Sequence, residues 1–194
     1  MSVPFPQGSY YIINHKNGHI NAVGPGPVIP VVADSQPATF AVSNYEPLPG
    51  EVLGFEVHHL VNVLKEGQPV NLKLDLVSGK DIVPSDKGVV AIFNGALPNV
   101  WCIHPSEDGE TDKFLIYFSR YGTIDHGPCH WQLESSEKGT NVIVNIDEDH
   151  PINRVLRAHI KAGRGTSRLA ELTQKLKALA HHHPDCFWHL DKQY

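Results

Sequence analysis

The chain has 194 residues with 16 Lys and Arg against 21 Asp and Glu, a formal net charge of −5, which argues against a nucleic-acid binder and leaves room for one sizeable core. A hydrophobic share of 41% with 19% charged residues excludes a disordered chain, and no apolar run approaches the roughly 20 residues of a membrane span. The three cysteines are too few and too scattered for a disulfide framework; with no apolar leader near Met1, a reducing, cytoplasmic setting is the expectation.

The first 145 residues read as short strands. Tyr10–Ile13 lies between Gly8 and the hairpin signal Asn17-Gly18, and His19–Val23 is its return strand. Val28–Ala33, broken by Pro30, and Thr39–Val42 follow. Phe55–Val61, the strictly alternating Asn71–Leu76, Val89–Phe93 and Val100–Ile103 make a second group. Phe114–Phe118, Trp131–Leu133 and Val142–Ile146 begin a third.

At Pro151 the periodicity changes. Ile152, Val155, Leu156, His159 and Ile160 recur at helical spacing, Gly163-Arg164-Gly165 interrupts, and Leu169, Leu172, Leu176 and Leu179 mark a second amphipathic helix. Phe187–Leu190 is one last strand. Short aromatic-bearing strands thus recur at Phe40, Trp101, Trp131 and Trp188, with Cys129-His130-Trp131 echoed in Cys186-Phe187-Trp188. Four strands per unit, closed by an aromatic, predict a mostly β, β-trefoil-like single domain over 1–194. Its lobes fall near 8–45, 54–104 and 113–191, with Trp131 inside the third lobe and a helical insertion there at about 151–180. A different β-sandwich or barrel with a helical arm is the alternative.

Several groups of residues could carry chemistry. The chain has 13 histidines, and Cys102-x-His104, Cys129-His130 and His181-His182-His183-x-x-Cys186 could converge on zinc, but the usual ligand spacing is missing and no metal or other cofactor is expected. Asp125-His126-Gly127-Pro128-Cys129-His130 holds the residue types of a nucleophilic site without any family signature, so no catalytic residue is assigned. The helical segment 151–180 carries seven basic side chains against Glu171 alone, +6, so the remainder carries −11. Such an arm suits nucleic acid, acidic lipid, an acidic partner or the chain's own acidic body; the acidic whole and the lack of interleaved aromatics argue against nucleic acid, and no membrane partner is expected. Asn21-Ala22-Val23-Gly24-Pro25-Gly26-Pro27 is a pre-shaped loop, because Pro restricts φ while Gly permits unusual backbone angles.

Gly8-Ser9-Tyr10-Tyr11-Ile12 resembles the first strand of fungal β-trefoil proteins, both ricin-B-like lectins and protease inhibitors. Pro30–Pro37 leading to Phe40-Ala41-Val42 resembles the first lobe of the mycocypins, mushroom inhibitors of papain-like cysteine proteases. The likeness covers about the first 45 residues. It implies a binding protein whose loop at Gly24, Pro25, Gly26 and Pro27, flanked by Asn21, occludes the cleft of a papain-like protease. It also implies an asparagine in a second-lobe loop aimed at an asparaginyl protease, for which Asn62 and Asn71 are the candidates. The alternative is a lectin that binds glycans; the Gln-x-Trp that closes ricin-B-like lobes is missing before Trp101, Trp131 and Trp188. An enzyme with a His/Cys site comes third.

Overall fold

The computed structural model describes residues 5–47, 49, 58–74, 86–92, 100–105, 113–118, 129–145 and 184–194. Within these residues the chain forms twelve strands: β1 (Gly8–Asn14), β2 (Gly18–Ala22), β3 (Val28–Ala33), β4 (Thr39–Asn44), β5 (His58–Lys65), β6 (Gln68–Leu74), β7 (Asp86–Ile92), β8 (Trp101–Pro105), β9 (Lys113–Phe118), β10 (Cys129–Gln132), β11 (Ile143–Asn145) and β12 (Trp188–Gln193). A short 3₁₀ turn, Pro184–Cys186, leads into β12. The helical segment expected at 151–180, and with it the basic arm and His181 to His183, lies outside the described residues.

The register closes two rings. Strands β1, β4, β5, β8, β9 and β12 pair antiparallel in that circular order, with Ser9 opposite Gln193 sealing the barrel between β12 and β1. The remaining strands pair as β2–β3, β6–β7 and β10–β11. β7 joins β3 and β11, and a bridge from Val32 to Asn141 completes the triangle. A six-stranded barrel carrying a triangle of three strand pairs is the β-trefoil, and closure removes the exposed sheet edges that would otherwise invite aggregation.

Alternation drives this arrangement. In β1 the buried residues are Tyr10, Ile12 and Asn14, and in β5 Val61 and Val63 alternate with half-exposed Leu60, Asn62 and Leu64. Register makes positions in the three lobes equivalent. Phe40, Trp101 and Trp188 lie at the start of the fourth strand of each lobe and stand opposite Tyr10, His59 and Phe114. Trp131 belongs to the second strand of its lobe instead, where lobes one and two have Ile20 and Leu72. The local likeness of Cys129-His130-Trp131 to Cys186-Phe187-Trp188 is therefore not structural equivalence. Trp131 is fully buried and meets Trp101 and Trp188 edge to face at 5.1 and 5.8 Å, and the Trp188 indole N–H donates to the Trp131 carbonyl at 3.2 Å.

Two hairpin expectations need correction. The first turn is His15–Asn17 rather than Asn17-Gly18, because the Asn14 carboxamide oxygen accepts from the Lys16 and Asn17 amides and Gly18 opens β2 at φ 85°. The segment from Asn62 to Asn71 is no loop. Glu66 and Gly67, at φ 50° and 77°, make a two-residue turn, so pairing runs up to Lys65 opposite Gln68. Both central residues at positive φ match the twist of the flanking strands, which is why the ladder needs no longer connection.

Candidate functional site

The barrel end where β1, β5 and β9 begin is filled from within. Phe5 lies against Tyr10, His59 and Phe114, with ring centroids at 5.1, 6.1 and 5.0 Å, the last two contacts edge to face. Those three residues are equivalent under the lobe register, so one side chain from before β1 sits on the approximate threefold axis. The Tyr10 hydroxyl donates to the Pro6 carbonyl at 2.8 Å and ties the segment down. His59 is buried, and neither ring nitrogen reaches a partner at hydrogen-bond geometry. Desolvation lowers its pKa, outweighing the charge-favouring backbone of Trp101 and Phe5 nearby, and the neighbouring His58 pushes it the same way. Among the described residues, Phe5 plugs this end of the barrel.

The outer face carries the chemistry, at one rung repeated at the three junctions between lobes. Between lobes three and one the rung is His189–Ile13–His19. Between lobes one and two it is Ala41–Asn62–Asn71. Between lobes two and three it is Cys102–Tyr117–His130, of which Cys102 and His130 are buried. In the middle rung Asn62 and Asn71 stand directly opposite each other on paired strands, half-buried, and neither carboxamide hydrogen-bonds to another described residue. Leu60 and Leu64 flank Asn62 on the same face, with Thr39, Ala41 and Ser43 across on β4.

The predicted loop lies between β2 and β3. Residues 23–28 are all exposed, with Val23 at 41% and Val28 at 47%. Gly24 and Gly26 adopt φ of 147° and 100°, and a Cβ on Gly26 would meet nothing within 4 Å, so backbone angle rather than space demands glycine there. The loop's base is clamped from the second lobe: the Lys65 ammonium donates to the Ala22 carbonyl and, at 3.5 Å, to the Asn21 carboxamide oxygen. The Asn17 side-chain carboxamide makes a comparable contact one lobe earlier, donating to the Leu133 carbonyl at 2.6 Å. Asn21 and the Gly-Pro loop thus share one hairpin. Asn62 lies three residues along β5 from the clamp, about 10 Å away by strand rise, so the predicted residues form two neighbouring surfaces rather than one.

The cysteine chemistry finds little support. Burial and the carboxylates of Asp185 and Glu134 push the Cys186 thiol well up, leaving it protonated and poorly nucleophilic. Asp125, His126 and the side chain of Cys129 lie outside the described residues. Among the described residues no group of three or more His, Cys, Asp or Glu could hold a metal ion, and no helix is long and apolar enough to cross a membrane. Sequence reasoning missed two features: Phe5, which lies before the first strand signal, and the pair His15 and His189. The Nδ1 of His15 and Nε2 of His189 are 2.9 Å apart, on residues distant in sequence, so only the closure of β12 on β1 reveals them.

No family model matches the chain, and no curated protein does. Solved structures do. The binding domain of botulinum neurotoxin serotype D matches with a TM-score of 0.53 at 10% identity, over 97% of this chain and 42% of that one. The serotype D ligand-binding domain in complex with N-acetylneuraminic acid matches at 0.54 and 10% identity, over 96% and 41%. The binding domain of neurotoxin DC in complex with SialylT also matches at 0.54 and 10%, over 95% and 43%. The chain spans about two fifths of the solved chains it matches. Likeness at this identity shows the β-trefoil fold and lends no support to the resemblance to fungal protease inhibitors.

Proposed function

We propose that this chain is a carbohydrate-binding protein, with its glycan site on the outer face of the junction between the first two lobes. The observation that carries it is the Asn62–Asn71 rung. Two carboxamides held opposite each other on a closed barrel present paired donors and acceptors, the pattern that adjacent sugar hydroxyls complement. Leu60, Leu64 and Ala41 supply apolar surface for the C–H face of a ring, and the strands fix the geometry before binding, which limits the entropy lost. The glycans bound by the neurotoxin domains of the same fold support this reading over protease inhibition.

The test is binding to immobilised neutral and sialylated glycans, with release by free sugar. Asn62→Ala and Asn71→Ala should each weaken retention about tenfold, the loss of one or two good hydrogen bonds, with unchanged thermal unfolding. Retention equal to that of the unaltered protein in both variants sinks the assignment.

A second reading rests on the exposed valines that flank the Gly-Pro loop. Apolar residues on a projecting, pre-shaped loop suit docking into a protein cleft, as a protease inhibitor would. Saturable inhibition of papain or an asparaginyl endopeptidase, lost in a Gly24→Trp variant, would favour it; no inhibition at micromolar protein would remove it.

A further inference from the structure

The barrel closure brings two imidazoles from the opposite ends of the chain nitrogen to nitrogen. His15 stands in the exposed β1–β2 turn and His189 is half-buried on β12, their nitrogens 2.9 Å apart and their ring centroids 5.1 Å apart at 33° between planes. We infer that His15 and His189 form a binding site for a divalent transition cation of the zinc class, ligated by His15 Nδ1 and His189 Nε2.

Geometry supports the assignment. Zinc holds imidazole nitrogen at about 2.0–2.1 Å in a tetrahedral shell, which sets two ligand nitrogens about 3.3 Å apart and their ring centres about 5.2 Å apart. The ring centres already stand at that separation. Ligation therefore asks each ring to tilt so that the nitrogens open by about 0.4 Å, with no backbone movement. Both side chains reach solvent, so an ion has a path in. In its absence one ring donates its N–H to the other; with the cation bound, both rings are neutral and carry their protons on His15 Nε2 and His189 Nδ1, the donating ring having moved its proton to its other nitrogen.

The surroundings set the properties of the site. Asn14, one residue before His15, is buried and donates from its side-chain Nδ2 to the carbonyls of Asp185 at 2.7 Å and Phe187 at 3.3 Å, which locks the turn against the start of β12. The His15 amide itself donates to the Phe187 carbonyl at 2.8 Å. The two backbones that carry the ligands are therefore held together independently of the imidazoles. Lys113 is opposite His189 in the register, and its ammonium lies 5.1 Å from the centre of the Phe187 ring. That positive charge tempers affinity. Two protein ligands leave two tetrahedral positions for water or for the donor atoms of a ligand, as an open site rather than a closed structural one does.

The test is titration of the full chain with zinc chloride, read by isothermal calorimetry at pH 7.5 and repeated at pH 5.5. Other histidines will contribute, so the result is read as a difference between variants. His15→Ala and His189→Ala should each abolish the same single equivalent, the double variant should lose no more, and acid should abolish it because zinc competes with protons. Histidine ring resonances of residues 15 and 189 should shift together on adding zinc. Unchanged stoichiometry in either single variant overturns the assignment, since both nitrogens are required. Should His189→Ala fail to fold, the exposed His15→Ala and the ring shifts decide the outcome alone.

Discussion

The inside and the outside of this barrel treat its threefold repeat in opposite ways. Inside, equivalent positions hold interchangeable bulk: Phe40, Trp101 and Trp188 in one set, Ile12, Val61 and Ile116 in another. Outside, the equivalent rungs are His–Ile–His, Ala–Asn–Asn and Cys–Tyr–His, three different chemistries on one geometry. Packing constrains volume and tolerates exchange among apolar shapes, whereas half-buried positions such as Asn62, Asn71 and His189 are constrained by what they touch at the surface. Function is therefore sought where the repeat has diverged.

The comparison breaks most visibly at its interior exceptions. Trp131 occupies a place where the other lobes have Ile20 and Leu72, and its indole packs against those of Trp101 and Trp188. Trp131→Ala should cost about 3–5 kcal/mol by leaving a cavity that the neighbouring indoles cannot fill, seen as a large drop in the denaturation midpoint. Phe5→Ala should come next, at about 3 kcal/mol, because the plug has three aromatic partners and no replacement. Equal stability of either variant with the parent would show that the interior is less tightly specified than its burial implies.

His59 sharpens the contrast further, being a titratable group at a position held elsewhere by Tyr10 and Phe114. Its folded pKa lies below the ordinary value, so the unfolded chain binds the proton more readily. Its contribution to stability is complete above about pH 6.5, the unfolded value, and is lost as pH falls below that toward the folded pKa. A His59→Phe variant should accordingly lose less stability than the parent between pH 7.5 and pH 5, measured by urea unfolding at both. An identical loss in the two proteins would put the acid sensitivity elsewhere. The smallest effect belongs to the outside: Gly26→Ala, at φ 100° with open space around it, should cost about 1 kcal/mol through backbone strain alone. Asn62→Ala should leave the midpoint within about 0.5 kcal/mol, although it weakens glycan retention.

Much of the architecture was legible because the strands advertise themselves. The run Tyr10–Ile13 between its turn signals, the alternation of Asn71–Leu76 (described as far as Leu74), the β-branched run Val28–Ala33 and the aromatics at 40, 101 and 188 place strands close to where they lie. Trp131 was harder. A strand signal reports burial and extension but not position within the repeat, and only its pairing with β9 and β11 shows it to be a second strand. The Asn62–Asn71 rung was half legible: both residues stood out, but Glu66-Gly67 is a weaker turn signal than Asn-Gly, so their direct pairing was hidden. Phe5 and the His15–His189 pair were illegible, because their partners are brought near by barrel closure rather than by sequence.

That closure has a consequence for how the molecule comes into being. Asn14 is bonded to Asp185 across 171 positions of chain, and β1 finds one of its two barrel neighbours only in β12. During synthesis β1 leaves the ribosome well before β12, so the first lobe must wait with one flank open until the strands between them have been made. Contacts of such long separation make folding slow, and an unpaired strand flank in a nascent chain is the kind of surface that chaperones shield. A chain released before β12 has emerged should fail to reach the native barrel, and adding a synthetic β12 peptide in trans should restore it.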